Sequence, residues 1–282
     1  MQVSHPQLAA LRTSIDNDNC LEFALILSNL SSEVSLVESV RTFDGYSAVH
    51  YVIKEDRPSL LSILLSRGEV SAHRKTWLSH ACFTDSLGCV EWLLDNTDMS
   101  PNDVLSENGY TPLHHAIYGK ATKCIDLLLQ RKAKVNCPMP SARTPLHIAC
   151  GMRLLEVISK LLNHGADINA MDKKGKRPIH MVTKRSDKVM LDMLLMYGAD
   201  INAGDADLCT PLHSACQNGC ITVVEWLLAH GADVNARNAE GKTALDVSIT
   251  IDTRKAVLQY HGRGMAHVRK RVEVGGIHLG RV

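Results

Sequence analysis

Four short segments set at a constant interval constrain this chain more than any other feature. Thr111-Pro112-Leu113-His114, Thr144-Pro145-Leu146-His147, Arg177-Pro178-Ile179-His180 and Thr210-Pro211-Leu212-His213 share one pattern, and Thr243-Ala244-Leu245-Asp246 continues it with two changes. Their fourth positions, 114, 147, 180, 213 and 246, are spaced by 33 residues at every step. A second landmark keeps the same period: Gly165-Ala166-Asp167-Ile168-Asn169, Gly198-Ala199-Asp200-Ile201-Asn202 and Gly231-Ala232-Asp233-Val234-Asn235, with a worn copy at Ala133-Lys134-Val135-Asn136. A repeat of this length is one supersecondary unit. It is too small to bury its own apolar faces, so it must stack on its neighbours.

Each landmark has a local physical reading. Proline at the first position of a helix loses no hydrogen bond, because that N–H has no partner there. The threonine before it can accept from the backbone as a cap. A second helix carries apolar runs such as Val223, Val224, Trp226, Leu227 and Leu228, and Gly231 suits its C-terminal turn.

These residues resemble the ankyrin-repeat family, whose repeat is a β-turn followed by two antiparallel helices. The resemblance covers roughly residues 42–260 and is most specific from Gly109 to Leu245. Upstream, Ser47-Ala48-Val49-His50 matches moderately, and Thr76-Trp77-Leu78-Ser79 matches only by helix pattern. Residues 6–30 read as two short helices, with Leu21, Ala24, Leu25 and Leu27 on the second. The resemblance implies an all-α fold, an ankyrin-repeat solenoid of about seven helix-turn-helix repeats plus a degenerate N-terminal cap, linked by β-hairpin-like turns. The expected division is a cap over 1–41, the array over 42–260 and a basic tail over 261–282, which carries Arg269, Lys270, Arg271 and Arg281 against Glu273.

Composition narrows the class further. With 31 basic and 30 acidic residues the net charge is +1, so no global field draws nucleic acid or a membrane surface. No apolar stretch approaches the roughly 18 residues needed to cross a bilayer. Nine cysteines are an odd number, and the first twenty residues hold no continuous apolar run. Free thiols in a reducing compartment are expected, hence an intracellular protein of the cytoplasm or nucleus. A monomer is the expected state.

The chain offers little chemistry. His50, His114, His147, His180 and His213 share one repeat position, on the order of 10 Å apart along a helix stack. Metal ligands must converge within a few ångströms, so this ladder predicts no metal site. The resemblance gives these histidines a structural task, hydrogen bonding between adjacent repeats. Cys82, Cys150 and Cys216 share a second position, and Cys89 and Cys124 a third, both expected to pack inward as small hydrophobes. Gly241-Lys242-Thr243 lacks the earlier glycine of a phosphate-binding loop, since position 236 is alanine. No cofactor and no catalysis are predicted.

Structural positions leave specificity to those that vary. In ankyrin proteins these are the hairpin tips and the exposed end of the first helix, which line a concave groove. The repeat register then nominates Phe43, Tyr46, Phe83, Tyr110 and Tyr118 as aromatic anchors. It also nominates a ridge of six cations, Arg143, Lys173, Lys174, Lys176, Lys184 and Arg185, with Lys184 and Arg185 at the end of a first helix. Such a ridge would attract a protein partner with an acidic segment. Nucleic acid is a poorer fit, because no broad basic surface accompanies it. Asn169, Asn202 and Asn235 resemble the asparagines that an oxygen-sensing asparaginyl hydroxylase modifies in ankyrin repeats. The reading is a non-catalytic scaffold or adaptor. Its alternative is the substrate-recognition subunit of a cullin-type ubiquitin ligase, because the array resembles that of ankyrin-and-SOCS-box adaptors. Their elongin-contacting Leu-x-x-x-Cys core is not visible, as no cysteine follows Cys220. An enzyme is the third and least favoured reading.

Overall fold

The computed structural model describes residues 5–29, 47–66, 74–184 and 187–262, all helix and turn with no strand among them. The chain divides into two compact units, Met1–Pro140 and Ser141–Val282. The first unit contains four helix pairs: α1 (His5–Asp16) with α2 (Cys20–Ser28), α3 (Ala48–Lys54) with α4 (Pro58–Ser66), α5 (Arg74–Thr84) with α6 (Leu87–Asn96), and α7 (Pro112–Gly119) with α8 (Thr122–Gln130). First helices pack on first helices and second on second, as α3 on α5 on α7 and α4 on α6 on α8. Trp77, Leu78, Leu93, Leu113, Ile117 and Leu128 are fully buried between these layers. On α2 the buried residues are Phe23 and Leu27, while Leu21 and Leu25 face outward.

The second unit contains α9 (Pro145–Met152) with α10 (Leu155–Asn163), α11 (Pro178–Met181) with α12 (Lys188–Met196), α13 (Pro211–Gln217) with α14 (Ile221–Ala229), and α15 (Ile251–Gly262). Two elements depart from the regular unit. The first helix of the third pattern segment, α11, has only four residues, and the fifth segment forms a turn over 244–247 with no first helix. Arg177 has no acceptor to cap α11, and Val182 and Thr183 follow it. In the last segment proline is missing and Val247, Ile249 and Thr250 are β-branched. These residues lose χ1 freedom in a helix, so the helix is not worth forming there.

The histidine position explains the regularity elsewhere. Nδ1 of His147 accepts the Thr144 backbone N–H at 3.2 Å, and the Thr144 hydroxyl lies 2.9 Å from the same nitrogen. The proton therefore resides on Nε2, which donates to the Lys176 carbonyl of the next repeat at 2.9 Å. His180 repeats the bond to the Cys209 carbonyl at 3.1 Å and His213 to Lys242 at 3.0 Å. One neutral imidazole thus caps its own helix and ties down the following turn. In the last segment Asp246 takes over the local half, accepting the Thr243 N–H at 2.8 Å.

Asparagine supplies a second tie. The Asn202 amide donates to the Gly231 carbonyl at 3.3 Å and accepts the Asp233 N–H at 2.8 Å, and Asn169 does the same to Gly198 and Asp200. Replacing Asn202 by alanine is expected to lower unfolding stability by about 1 kcal/mol, the usual net value of such bonds. Asn235→Ala should cost close to nothing, since the exposed Asn235 side chain makes no hydrogen bond among the described residues. Equal urea midpoints for the two variants would refute the tie.

A third tie changes chemistry along the chain. Asp56 accepts the Gly88 and Cys89 N–H groups at 3.1 and 2.9 Å, and Asp85 accepts that of Cys124 at 3.0 Å. Both carboxylates therefore cap the second helix of the next repeat. Arg153, at the equivalent position of the second unit, instead grips Asp187 at 2.7 Å, and Asp187 is itself the N-cap of α12.

Candidate partner-binding surface

In the first unit Phe83 and Tyr118 occupy the same repeat position, at the ends of α5 and α7, and both face solvent at 50% and 36% exposure. Tyr110, in the turn before α7, is half-buried. Its ring meets that of Tyr118 edge-on at 5.6 Å and that of His115 at 5.4 Å. Tyr110 therefore braces Tyr118 and presents less of its own ring. His115 in turn lies 3.0 Å from the Ser79 hydroxyl of α5. Two aromatic faces on a braced floor form an apolar patch of low entropy cost. Phe43 and Tyr46 lie outside the described residues.

In the second unit the ridge is built around one carboxylate. Asp172 is buried, and its Oδ1 accepts the N–H groups of Lys174 at 2.8 Å and Lys176 at 2.9 Å. Its Oδ2 faces the Arg143 guanidinium at 3.5 Å. Burial alone would raise this carboxyl; the two backbone N–H groups and Arg143 more than offset that and hold it below the usual carboxylate range. Neighbouring tips are pinned edge to edge, with the Lys173 N–H on the Ser141 carbonyl at 3.0 Å and the Ala206 N–H on the Lys174 carbonyl at 2.9 Å.

The six expected cations separate into distinct roles. Arg143 is partly neutralised by Asp172. Lys176 is half-buried, and its carbonyl serves His147. Lys173 and Lys174 are exposed at the tip. Lys184 is exposed too, but it sits in the turn after α11 and not on a helix end, because that helix stops at Met181. It borders a cleft lined by Gly151, Arg153, Met181, Asp187 and Met190. Arg185 lies outside the described residues. None of Lys173, Lys174, Lys176 and Lys184 forms an ion pair among the described residues, whereas Arg153 and Arg177 are taken by Asp187 and Asp200.

The residues weighed for other chemistry are occupied structurally. Cys82, Cys89, Cys124, Cys150 and Cys216 are buried free thiols, and burial raises the pKa of each. Among the described residues no three His, Cys, Asp or Glu side chains converge as metal ligands, and no helix is long and apolar enough to cross a membrane. Lys242 lies in a turn, paired with Glu240 at 2.6 Å.

Comparison with known proteins agrees with this geometry. Three family models of ankyrin repeats match, over residues 97–172, 154–195 and 194–248, and together they run unbroken from 97 to 248. The chain is an ankyrin-repeat protein. Its repeats are those of a protein-interaction scaffold. The crystal structure of the human ASB11 ankyrin repeat domain matches with a TM-score of 0.65 at 27% identity, covering 75% of this chain and 96% of that one. No curated protein matches the sequence significantly.

Proposed function

We propose that this ankyrin-repeat protein is a non-catalytic adaptor, and that the hairpin tips of its second unit hold an acidic segment of a partner protein. The observation that carries this reading is the set of exposed lysines, Lys173, Lys174 and Lys184, without ion-pair partners among the described residues, while Arg143, Arg153 and Arg177 are all engaged. Lys173 and Lys174 on their pinned turn steer an anionic partner at little ordering cost, and Lys184 adds its charge from the turn after α11. The aromatic patch of the first unit, Phe83 with Tyr118, is proposed as a separate apolar contact.

Labelled Glu- and Asp-rich peptides test the cationic face. Lys174→Glu with Lys184→Glu should cut the association rate by about tenfold at low salt and flatten its salt dependence. The helical signal should be unchanged, since exposed substitutions shift stability by about 0.5 kcal/mol. Unaltered association would reject the assignment.

The match to human ASB11 supports a second reading, in which the array recognises substrates for a cullin-type ubiquitin ligase. Co-purification of elongin and cullin with the full chain would favour it; their absence together with retained acidic-peptide binding favours the first. Of the proposed hydroxylation positions, Asn235 is the best placed, because the amides of Asn169 and Asn202 are committed to the next repeat. A one-oxygen mass gain on its peptide reads this directly.

A further inference from the structure

We propose that the outer face of α12 is a second docking surface, separate from the hairpin tips, for an amphipathic helix of a partner whose apolar stripe is bordered by lysine or arginine. The face is made by Val189, Met193, Met196 and the C-capping Tyr197, spaced i, i+4, i+7 and i+8, so all four lie on one side of the helix. That side is turned away from the core, where Met190, Leu191 and Leu194 are buried. Val189 is 61% exposed, Met196 86% and Tyr197 40%, with Met193 half-buried between them.

The repeat register shows that this stripe is not a requirement of the fold. Where α12 has Val189, the second helices α8, α10 and α14 carry Lys123, Glu156 and Thr222. Where it has Met196 they carry Gln130, Asn163 and Ala229, and in place of Tyr197 they carry Arg131, His164 and His230. Among these four helices α12 alone carries large apolar residues at all three positions, although α2 also turns Leu21 and Leu25 outward. Single exposed apolar residues need no explanation, but a continuous stripe at helical spacing marks an interaction site.

The surroundings define the occupant. The stripe rests on a fixed floor: Tyr197 donates to the Asn163 side chain at 2.6 Å, and Trp226 Nε1 donates to Asp192 at 2.9 Å while its ring stacks on His230 at 3.9 Å. Asp192 lies within the turn between Val189 and Met196 with its side chain 54% exposed. Glu225, exposed at the equivalent position of α14, has no ion-pair partner among the described residues. Asp192 keeps half its side chain exposed although Trp226 and His230 lie against it, and with Glu225 it outweighs the exposed Lys188 one turn before it, so the strip favours a basic partner over an acidic one. Unbranched, polarisable methionines adapt their rotamers to an incoming helix, the mode in which apolar anchors recur at i, i+4 and i+7.

The test uses the full chain and a labelled Leu/Lys amphipathic peptide of about five helical turns, with a Leu/Glu peptide of the same apolar pattern as its control. The variant replaces Val189 and Met196 with the residues that α8 carries, Val189→Lys and Met196→Gln, which the fold already accommodates at those positions. The Leu/Lys peptide should bind the natural sequence and lose about tenfold in affinity to the double variant, and the Leu/Glu peptide should bind about tenfold more weakly. Methyl NMR signals of Met196 should shift only with the Leu/Lys peptide. Equal binding to the variant, or no binding at all, overturns the proposal. So does a concentration-dependent dimer that the double variant abolishes, because the stripe would then be a contact between copies of this chain.

Discussion

Gly119→Ala is expected to destabilise the first unit by about 3 kcal/mol, at the upper end of what overpacking causes. A β-carbon built on Gly119 would stand 1.9 Å from the Phe83 carbonyl oxygen and 2.6 and 2.7 Å from its carbonyl carbon and Cα. All three are backbone atoms, so no rotamer change relieves the clash and α7 must lift off α5. Gly151 is the matching control. It lies in α9 with nothing within 4 Å of its built β-carbon, and Gly151→Ala should gain about 0.5 kcal/mol from helix propensity. Urea titrations followed by circular dichroism distinguish the two. A Gly119→Ala protein as stable as the natural one would show that the close approach of these helices carries no weight. Because Phe83 is one of the two exposed aromatic faces, the same shift should also disturb the apolar patch.

Acidification is expected to weaken the fold between pH 6.5 and about 4. Burial, with the neighbouring His115 as the smaller cause, holds the pKa of His114 down from 6.5 to about 4. Burial likewise lowers His147 and His180, and burial with the charge of His50 brings His80 to about 4. In that window the unfolded chain binds protons that the folded chain refuses. Stability is therefore fully present above pH 6.5, falls as pH drops and levels off once the folded imidazoles also titrate. His114 alone corresponds to about 3 kcal/mol over the window. The cap at the start of α7 acts in the same direction: Nδ1 must accept the Thr111 N–H at 3.1 Å, and an imidazolium would turn a donor against a donor. A urea midpoint that stays flat from pH 7 to 4.5 would contradict this. His114→Asn should reduce the slope.

The fold was legible because its signals are local and repeated. A Thr-Pro-Leu-His segment states a cap, a first turn and a tie within four residues, and the interval of 33 locates the next copy. Where those residues change, the helix changes with them. Arg177 marks a four-residue helix, and Thr243-Ala244 marks a turn. The loss of the cap was visible in the first and the loss of proline in the second, but the consequence depended on how much neighbouring packing could compensate. The site was less legible. Residue types on the tips follow from the register, yet whether a cation is free depends on partners that are distant in sequence. Arg143 meets Asp172, whose carboxylate the turn had already drawn inward. The outer face of α12 was hidden for another reason. Val189 and Met196 are interleaved in sequence with the buried Met190, Leu191 and Leu194, and the apolar run alone does not separate the two faces.

The switch from Asp56 and Asp85 to Arg153 has a consequence for how such a chain can be recombined. Asp56 and Asp85 act as negative sockets that expect a bare helix N-terminus in the following repeat. Arg153 is a positive socket, and it expects a helix that brings its own carboxylate, Asp187. A crossover that placed the α12 repeat behind Asp85 would aim two carboxylates at one helix end, and one that placed the α8 repeat behind Arg153 would set a guanidinium against the positive pole of a helix. Repeats that share a backbone and a period are therefore not interchangeable parts. At the junctions after Asp56, Asp85 and Arg153 the order is keyed by charge, so a duplication there that mismatches the sign of the socket should weaken the stack.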